Sequence, residues 1–72
     1  MASTENRTTK VVSNQMILGG TPVVEGTRVP ADNVLAEVRA GSSRLEIFRS
    51  YPSLPLDGIE ACVEWDKAGR PL

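Results

Sequence analysis

The first apolar residues of the chain fall into two short runs separated by glycines. Met16-Ile17-Leu18 precedes Gly19-Gly20, and Thr21-Pro22-Val23-Val24 follows it. Glycine readily adopts the positive φ that a tight turn between antiparallel strands requires, so the pattern predicts a β-hairpin whose strands are residues 16–18 and 21–24. Pro22 has no N–H to donate, and its strand is therefore expected at the edge of the sheet.

The segment before this hairpin is polar. Residues 1–15 are rich in Ser, Thr and Asn, and they are predicted to form a mobile N-terminal arm. The exception is Lys10-Val11-Val12, which is expected to pair at most weakly, as an edge strand. After the hairpin, Glu25-Gly26-Thr27 predicts a second turn, and Arg28-Val29 leads from it to Pro30.

Beyond Pro30 the apolar residues recur at helical spacing, and three helices are predicted. Pro30 suits the first turn of a helix over residues 31–40, which carries the apolar stripe Val34, Leu35 and Val38. Gly41 fits the left-handed position that often follows a helix end. The second helix spans residues 44–50, and it is followed by Pro52, which stops it.

The starts of the second and third helices differ in quality. Ser43 and Glu46 have the spacing of a capping box, in which each side chain satisfies a free backbone amide; Ile47 and Phe48 are then buried. The third helix is predicted over residues 56–68, with Ile59, Cys62 and Val63 on its apolar face. Its start is poor, because Pro55 has no side-chain acceptor and Gly58 costs about 1 kcal/mol relative to alanine. Ser53 offers an alternative cap, and Leu54 with Ile59 predicts a hydrophobic staple.

Together these elements predict a mainly α fold, a short β-hairpin followed by a three-helix bundle. The arm covers residues 1–15, the helical domain residues 16–68, and a loose C-terminal tail residues 69–72. Chains of 72 residues have a small hydrophobic core, and without a disulfide or a metal such a core gives a free energy of unfolding of about 3–5 kcal/mol. One cysteine and no histidine provide neither, so self-association as a dimer, or binding to a partner, is expected to supply stability.

Composition excludes several functional classes. The net charge is −1, and no apolar run reaches the length of a membrane span or of a signal peptide, which predicts a cytoplasmic protein with no membrane partner. Without histidine the commonest general base is missing, and we find no nucleophile–base pair, metal-ligand cluster or phosphate-binding loop. The chain is therefore predicted not to be an enzyme and to use no cofactor.

The order of motifs resembles one bacterial family. Residues 20–30 read Gly-Thr-Pro-Val-Val-Glu-Gly-Thr-Arg-Val-Pro, and Ala40-Gly41, Glu46-Ile47, Tyr51-Pro52-x-Leu54 and Ile59-x-Ala61 follow. This series resembles the family of domains of unknown function numbered 433, over about residues 16–66. The resemblance implies a homeodomain-like, helix-turn-helix bundle and an antitoxin-like role in toxin–antitoxin systems, with some members paired with PIN-like ribonuclease toxins.

The chain departs from that family pattern in two places. Pro55 stands where the family usually has a threonine that caps the third helix, and the chain ends soon after that helix, without the long extension with which many antitoxins wrap their toxins. The motif residues Gly26, Thr27, Pro30 and Gly41 are expected to be structural.

Two partner classes are consistent with this pattern. In a helix-turn-helix the third helix enters the DNA major groove. The expected exposed residues of this helix are four acids and one base, and their net negative charge is unfavourable for binding beside the DNA phosphates. These residues are Asp57, Glu60, Glu64, Asp66 and Lys67. The candidate contacts for a partner or for DNA are instead Arg28, Arg39, Arg44, Arg49 and Trp65, with Arg7 and Lys10 on the arm.

Each of these candidates also has a structural interpretation. Arg28 either contacts a partner or orders the junction between hairpin and helix, and Trp65 is either core or an interface anchor. Cys62 is expected to be an inert core residue. The favoured hypothesis is an antitoxin-like or regulatory binding module that acts as a homodimer with a protein partner or DNA; the alternative is a self-assembling scaffold domain whose hairpin edges pair between subunits.

Overall fold

Two short strands and three helices succeed one another in the computed structural model, which describes residues 9–72. The strands are β1 (Val11–Val12) and β2 (Val23–Val24), with a 3₁₀ turn at Leu18–Gly20 between them. The helices are α1 (Ala31–Arg39), α2 (Arg44–Ser50) and α3 (Gly58–Lys67). The predicted class, a mainly helical fold preceded by a two-stranded hairpin, is confirmed. Residues 1–8 of the predicted mobile arm lie outside the described residues.

The hairpin pairs different residues from those predicted. β1 is antiparallel to β2, with Val11 opposite Val24 and Val12 opposite Val23. The predicted pairing of residues 16–18 with 21–24 is therefore wrong, and the weak edge strand expected at Lys10–Val12 is the strand that forms. Gly19 does have a positive φ, of 66°, but within the 3₁₀ turn of a longer connection.

Asn14 explains why the run Met16–Leu18 is not a strand. Its side-chain Oδ1 accepts the Met16 N–H at 2.8 Å and its carbonyl accepts the Ile17 N–H at 2.8 Å. Such an Asx turn bends the chain before the apolar run can extend. Ser13 then holds the far end of the connection, because its hydroxyl donates to the Gly20 carbonyl at 2.6 Å.

The outer side of β2 is covered by the segment that leads to α1. The Val24 N–H donates to the Val29 carbonyl at 2.9 Å, the Ala31 N–H donates to the Pro22 carbonyl at 3.0 Å, and Val23 forms an isolated bridge with Pro30. β2 is thus flanked on both sides instead of lying at an open edge. Pro22 is tolerated because it precedes the strand and contributes only its carbonyl.

Helix α1 begins after Pro30 and ends in a Schellman motif. Gly41 has a φ of 84°, its N–H donates to the Val38 carbonyl, and the Ser42 N–H donates to the Glu37 carbonyl. These two bonds satisfy carbonyls that the helix end leaves free, which confirms the position predicted for the glycine. Of the predicted apolar stripe, Val34 and Leu35 are buried, whereas Val38 lies at the margin and is 37% exposed.

Helix α2 carries the predicted capping box in full. The Ser43 hydroxyl accepts the Glu46 N–H at 3.2 Å, and the Glu46 carboxylate accepts the Ser43 N–H at 2.8 Å. Ile47 is buried as predicted, and Phe48 is half-buried against the core.

Helix α3 begins at Gly58, two residues later than predicted. Asp57 occupies the N-cap position without a capping side-chain bond, so neither Pro55 nor Ser53 has that role. Leu54 and Ile59 are both buried, in agreement with the predicted staple. A methyl group on Gly58 would lie 2.6 Å from Leu54 Cδ1, so the glycine is a packing requirement at the first helical position.

One apolar core joins the strands to the helices. It comprises buried residues from β2, α1, α2 and α3 and from the segments between them: Val24, Val29, Ala31, Val34, Leu35, Ile47, Leu54, Ile59, Cys62 and Trp65. Within residues 9–72, no helix has the length and apolarity needed to cross a membrane.

Candidate partner-binding surface

The turn between β2 and α1 is held by Thr27. Its hydroxyl donates to the Val24 carbonyl at 2.7 Å and accepts the Val29 N–H at 2.9 Å, and the side chain is buried. Gly26 supplies the turn with a φ of 81°. Buried backbone groups need such partners, so the Gly-Thr pair of the motif fixes the direction in which the chain enters α1.

Arg28 does not order this junction. Its side chain is exposed and forms no hydrogen bond or ion pair with any residue of the described chain. The structural role considered for Arg28 belongs to Thr27, whose two bonds span the turn. The sequence alone does not show which of the two residues has this role, because that depends on which side chain faces the interior of the protein.

Two of the candidate arginines are engaged by acids on α3. Arg44 forms an ion pair with Glu60, and its guanidinium also donates to the Leu56 carbonyl at 3.1 Å. Arg39 lies 3.5 Å from Asp66. The candidate arginines therefore fall into two groups, because the acids of α3 partly neutralise Arg39 and Arg44.

Arg49 is exposed and, like Arg28, has no ion pair within residues 9–72. It lies in the last turn of α2, where a cation is favourable beside the helix C-terminus. The described part of the chain thus offers isolated unpaired arginines, in the turn between β2 and α1 and on α2, instead of a continuous basic strip.

The C-terminal residues make contacts that the sequence did not indicate. Arg70 bridges two helices, with distances of 2.7 Å to Asp32 Oδ1 and 2.8 Å to Asp66 Oδ1. Its guanidinium lies 5.1 Å from the ring centroid of Trp65, and the Trp65 indole N–H donates to the Pro71 carbonyl at 2.9 Å. The segment predicted as a loose tail therefore closes over one end of α3.

These ion pairs shift the titration of Asp66. A hydrogen bond from Arg70 is the largest cause that lowers the pKa of this carboxyl group, and the charges of Arg70 and Arg39 lower it further. The side chains of Arg70 and Asp66 remain 38% and 35% exposed, so solvent screens this pair, which mainly orients the two side chains.

Trp65 and Cys62 belong to the core. Trp65 is 8% exposed and packs in the core, as the core interpretation predicted, and the Pro71 carbonyl accepts its indole N–H. Cys62 is fully buried, and burial raises the pKa of its thiol to about 11. Within the described residues, no group of three His, Cys, Asp or Glu side chains is placed to hold a metal ion.

Asp57 tethers the N-terminal segment to α3. Its carboxylate accepts the Thr9 N–H at 2.9 Å and also the Thr9 hydroxyl. The sequence predicted Asp57 to be an exposed residue of the third helix. Its distance from Thr9 in sequence gives no signal by which that contact could be predicted.

Several large apolar side chains of residues 9–72 remain exposed, including the C-terminal Leu72. Leu45 on α2 is 61% exposed, and Leu56, just before α3, is 84% exposed; Arg44 contacts the backbone of Leu56. Met16 and Leu18, in the connection between the strands, are 84% and 50% exposed. Apolar groups beside weakly engaged charges are typical of protein-contact surfaces.

Comparison with known proteins places this fold among uncharacterised relatives. A family model described as "Protein of unknown function (DUF433)" matches residues 11–65, from the start of β1 to Trp65. The uncharacterized protein y4eO of Sinorhizobium fredii (strain NBRC 101917 / NGR234) is 51% identical over 62 residues. Those residues are 86% of this chain and 28% of that relative, so the chain spans little more than a quarter of the relative's length. No solved structure matches the chain.

Proposed function

Because the chain belongs to the DUF433 family of proteins of unknown function, we propose that it is a small antitoxin-like or regulatory binding module that acts on a protein partner. The module is cytoplasmic, has no catalytic activity of its own and functions as a homodimer. The antitoxin-like character comes from the family resemblance. The preference for a protein partner comes from the surface.

The observation that carries this preference is the engagement of the arginines by α3. Phosphate contacts dominate affinity for nucleic acid, and each needs a cation free to replace counterions. Here Arg44 and Arg39 already face Glu60 and Asp66, and α3 adds the exposed acid Glu64. A helix of this sign is repelled by a groove lined with phosphates, whereas a basic protein surface attracts it.

The exposed leucines supply the second component of a protein contact. Leu45 and Leu56 would bury apolar area on binding, and the nearby Arg44–Glu60 pair would form the polar rim that such interfaces usually have. A partner that is basic and carries an apolar groove fits this surface. The family resemblance points to a PIN-like toxin as one such partner.

The test is co-purification of the chain with the product of the gene that lies beside its own. We expect a complex that survives moderate salt, because apolar burial is not screened. Leu56→Ser should weaken this complex at least about tenfold. Leu72→Ser, which alters a leucine that is similarly exposed at the C-terminal end, is the matched control and should leave it unchanged.

A DNA assay separates the other partner class. Fluorescence anisotropy with the chain's own promoter should show only weak binding at physiological salt. Tight, salt-dependent binding that is lost in Arg28→Ala and Arg49→Ala, but kept in Arg39→Ala, would overturn the proposal in favour of DNA. Failure to co-purify with the neighbouring product would remove the toxin-directed part.

A further inference from the structure

The outer edge of β1 is the one open strand edge in the described hairpin. In an antiparallel ladder, successive residues turn their backbone N–H and C=O to opposite sides. Val24 and Pro22 direct these groups away from β1, to Val29 and Ala31. Val11 lies opposite Val24, so its backbone N–H and C=O point away from β2. The same holds for Ser13, two residues further along the strand.

On this outer edge, the backbone groups of the residues after Thr9 have no hydrogen-bond partner among the described residues. The Thr9 N–H, two residues earlier on the same side, is already taken by Asp57. The open stretch is therefore short and begins at Val11. Proteins usually protect such an edge with a charge, a proline or a bulge, because unpaired backbone groups template pairing with another chain.

Segment 11–24 has none of the usual charged protection. It contains no charged residue, and its single proline, Pro22, lies on the other strand. Charge matters here because a two-fold axis through an antiparallel strand pair fixes which residues face each other. If Val11 of one copy pairs with Ser13 of the other, the axis passes Val12, and Val12 faces its own copy.

The same register places Lys10 opposite Asn14 of the second copy, so no like charges are opposed. We therefore infer that the β1 edge pairs antiparallel with β1 of a second copy, which joins the two hairpins into one four-stranded sheet centred on Val12. This inference names the surface for the homodimer in the proposed function and rests on that part of it.

The dimer should be weak and should exchange with the monomer. Paired edges of two to three residues bury less area than the roughly 1,000 Å² expected of a stable interface. The exposed Met16 and Leu18, which follow β1 directly, provide further apolar area beside the edge. Dissociation in the micromolar range is therefore expected, within reach of sedimentation equilibrium.

Charge swapping at Val12 tests the pairing and its register together. Val12→Lys and Val12→Glu each place like charges across the axis, and each should reduce the association constant about tenfold or more. An equimolar mixture of the two variants should restore a heterodimer, visible by native mass spectrometry. Leu45→Lys adds the same charge to an exposed position on α2 and should leave the dimer intact.

A conservative variant guards against misfolding at the half-buried Val12. Asn14→Asp retains the oxygen that accepts the Met16 N–H and places an anion opposite Lys10. It should tighten the dimer, and added salt should remove the gain.

The inference is overturned if the wild-type chain is monomeric throughout the micromolar range, or if folded Val12→Lys remains dimeric. It is also overturned if the two charge variants fail to form a heterodimer, or if Asn14→Asp has no effect. If the chain is a monomer that still binds the product of the neighbouring gene, only the pairing of the β1 edges is overturned. If it is a dimer paired through β1 that does not bind this product, the pairing is supported and the proposed partner is contradicted.

Discussion

Gly58 provides the sharpest test of the packing. Helix propensity predicts that alanine at the start of α3 is better than glycine by about 1 kcal/mol. The structure predicts the opposite. The added methyl group would lie 2.6 Å from Leu54 Cδ1 and 2.7 Å from Leu54 Cγ, both closer than carbon atoms approach each other in folded proteins.

The magnitude follows from how little Leu54 can move. Its side chain is 6% exposed and belongs to the main core, so rotation away from the new methyl group would displace other core residues. Overpacking of this kind costs about 1–3 kcal/mol. After subtraction of the propensity gain, Gly58→Ala should lower the free energy of unfolding by up to about 2 kcal/mol. That is a large part of the total expected of so small a core.

Urea unfolding, followed by Trp65 fluorescence and by circular dichroism, measures this loss. With a slope of about 1 kcal/mol per molar for a small domain, the midpoint should fall by up to about 2 M. Leu54→Ala removes the clashing atoms, so in that background Gly58→Ala should be neutral or stabilising. The wild type, the two single variants and the double variant are best compared in the presence of an osmolyte that is excluded from the protein surface, because such an osmolyte raises the stability of all four proteins. A midpoint that rises in Gly58→Ala alone would refute the reasoning.

Four further predictions follow from single contacts. Ser43→Ala should lower the free energy of unfolding by about 1 kcal/mol in urea titrations, since the Glu46 N–H loses the hydroxyl that accepts it, while the Ser43 N–H keeps its bond to the Glu46 carboxylate. Thr27→Val should lower the free energy of unfolding by about 1–3 kcal/mol because it leaves the buried Val29 N–H without its acceptor, whereas Thr27→Ser, which retains the hydroxyl, should cost less. Asp66 has a lowered pKa in the folded state, so its stabilising contribution is present above its ordinary value and is lost as pH falls below about 4. Asp66→Asn should therefore flatten the acid limb of a stability–pH profile, and Arg70→Ala should do the same. Iodoacetamide at pH 8 should modify Cys62 only as fast as the protein opens, because the thiol is buried and its pKa is about 11; rapid labelling of the native protein would contradict that burial.

The helices were predictable because their signals are local. A capping box needs only Ser43 and Glu46 at the right spacing, and the left-handed Gly41 needs only the end of an amphipathic pattern. Both signals act within one turn of the chain. Their effect is therefore the same whatever packs against the helix.

The hairpin register depended on competition between distant segments and was predicted wrongly. Gly19-Gly20 is a strong local turn signal, yet β2 pairs with Val11–Val12, across a connection of ten residues. The polar side chain of Asn14 decided the outcome by bending the chain before Met16. Likewise, the clash that fixes Gly58 involves Leu54, and no helix propensity contains that information.

The charged residues of the three helices are separate groups in the sequence and form ion pairs in the structure. Counted along the sequence, Arg39 and Arg44 are cations on α1 and α2, and the acids of α3 are a separate group. Folding sets the two groups against each other, with Glu60 on Arg44 and Asp66 on Arg39. The surface that results is close to neutral where helices meet and apolar at Leu45 and Leu56. It follows that the proposed protein partner would combine apolar area for Leu45 and Leu56 with basic groups for the exposed acid Glu64 of α3.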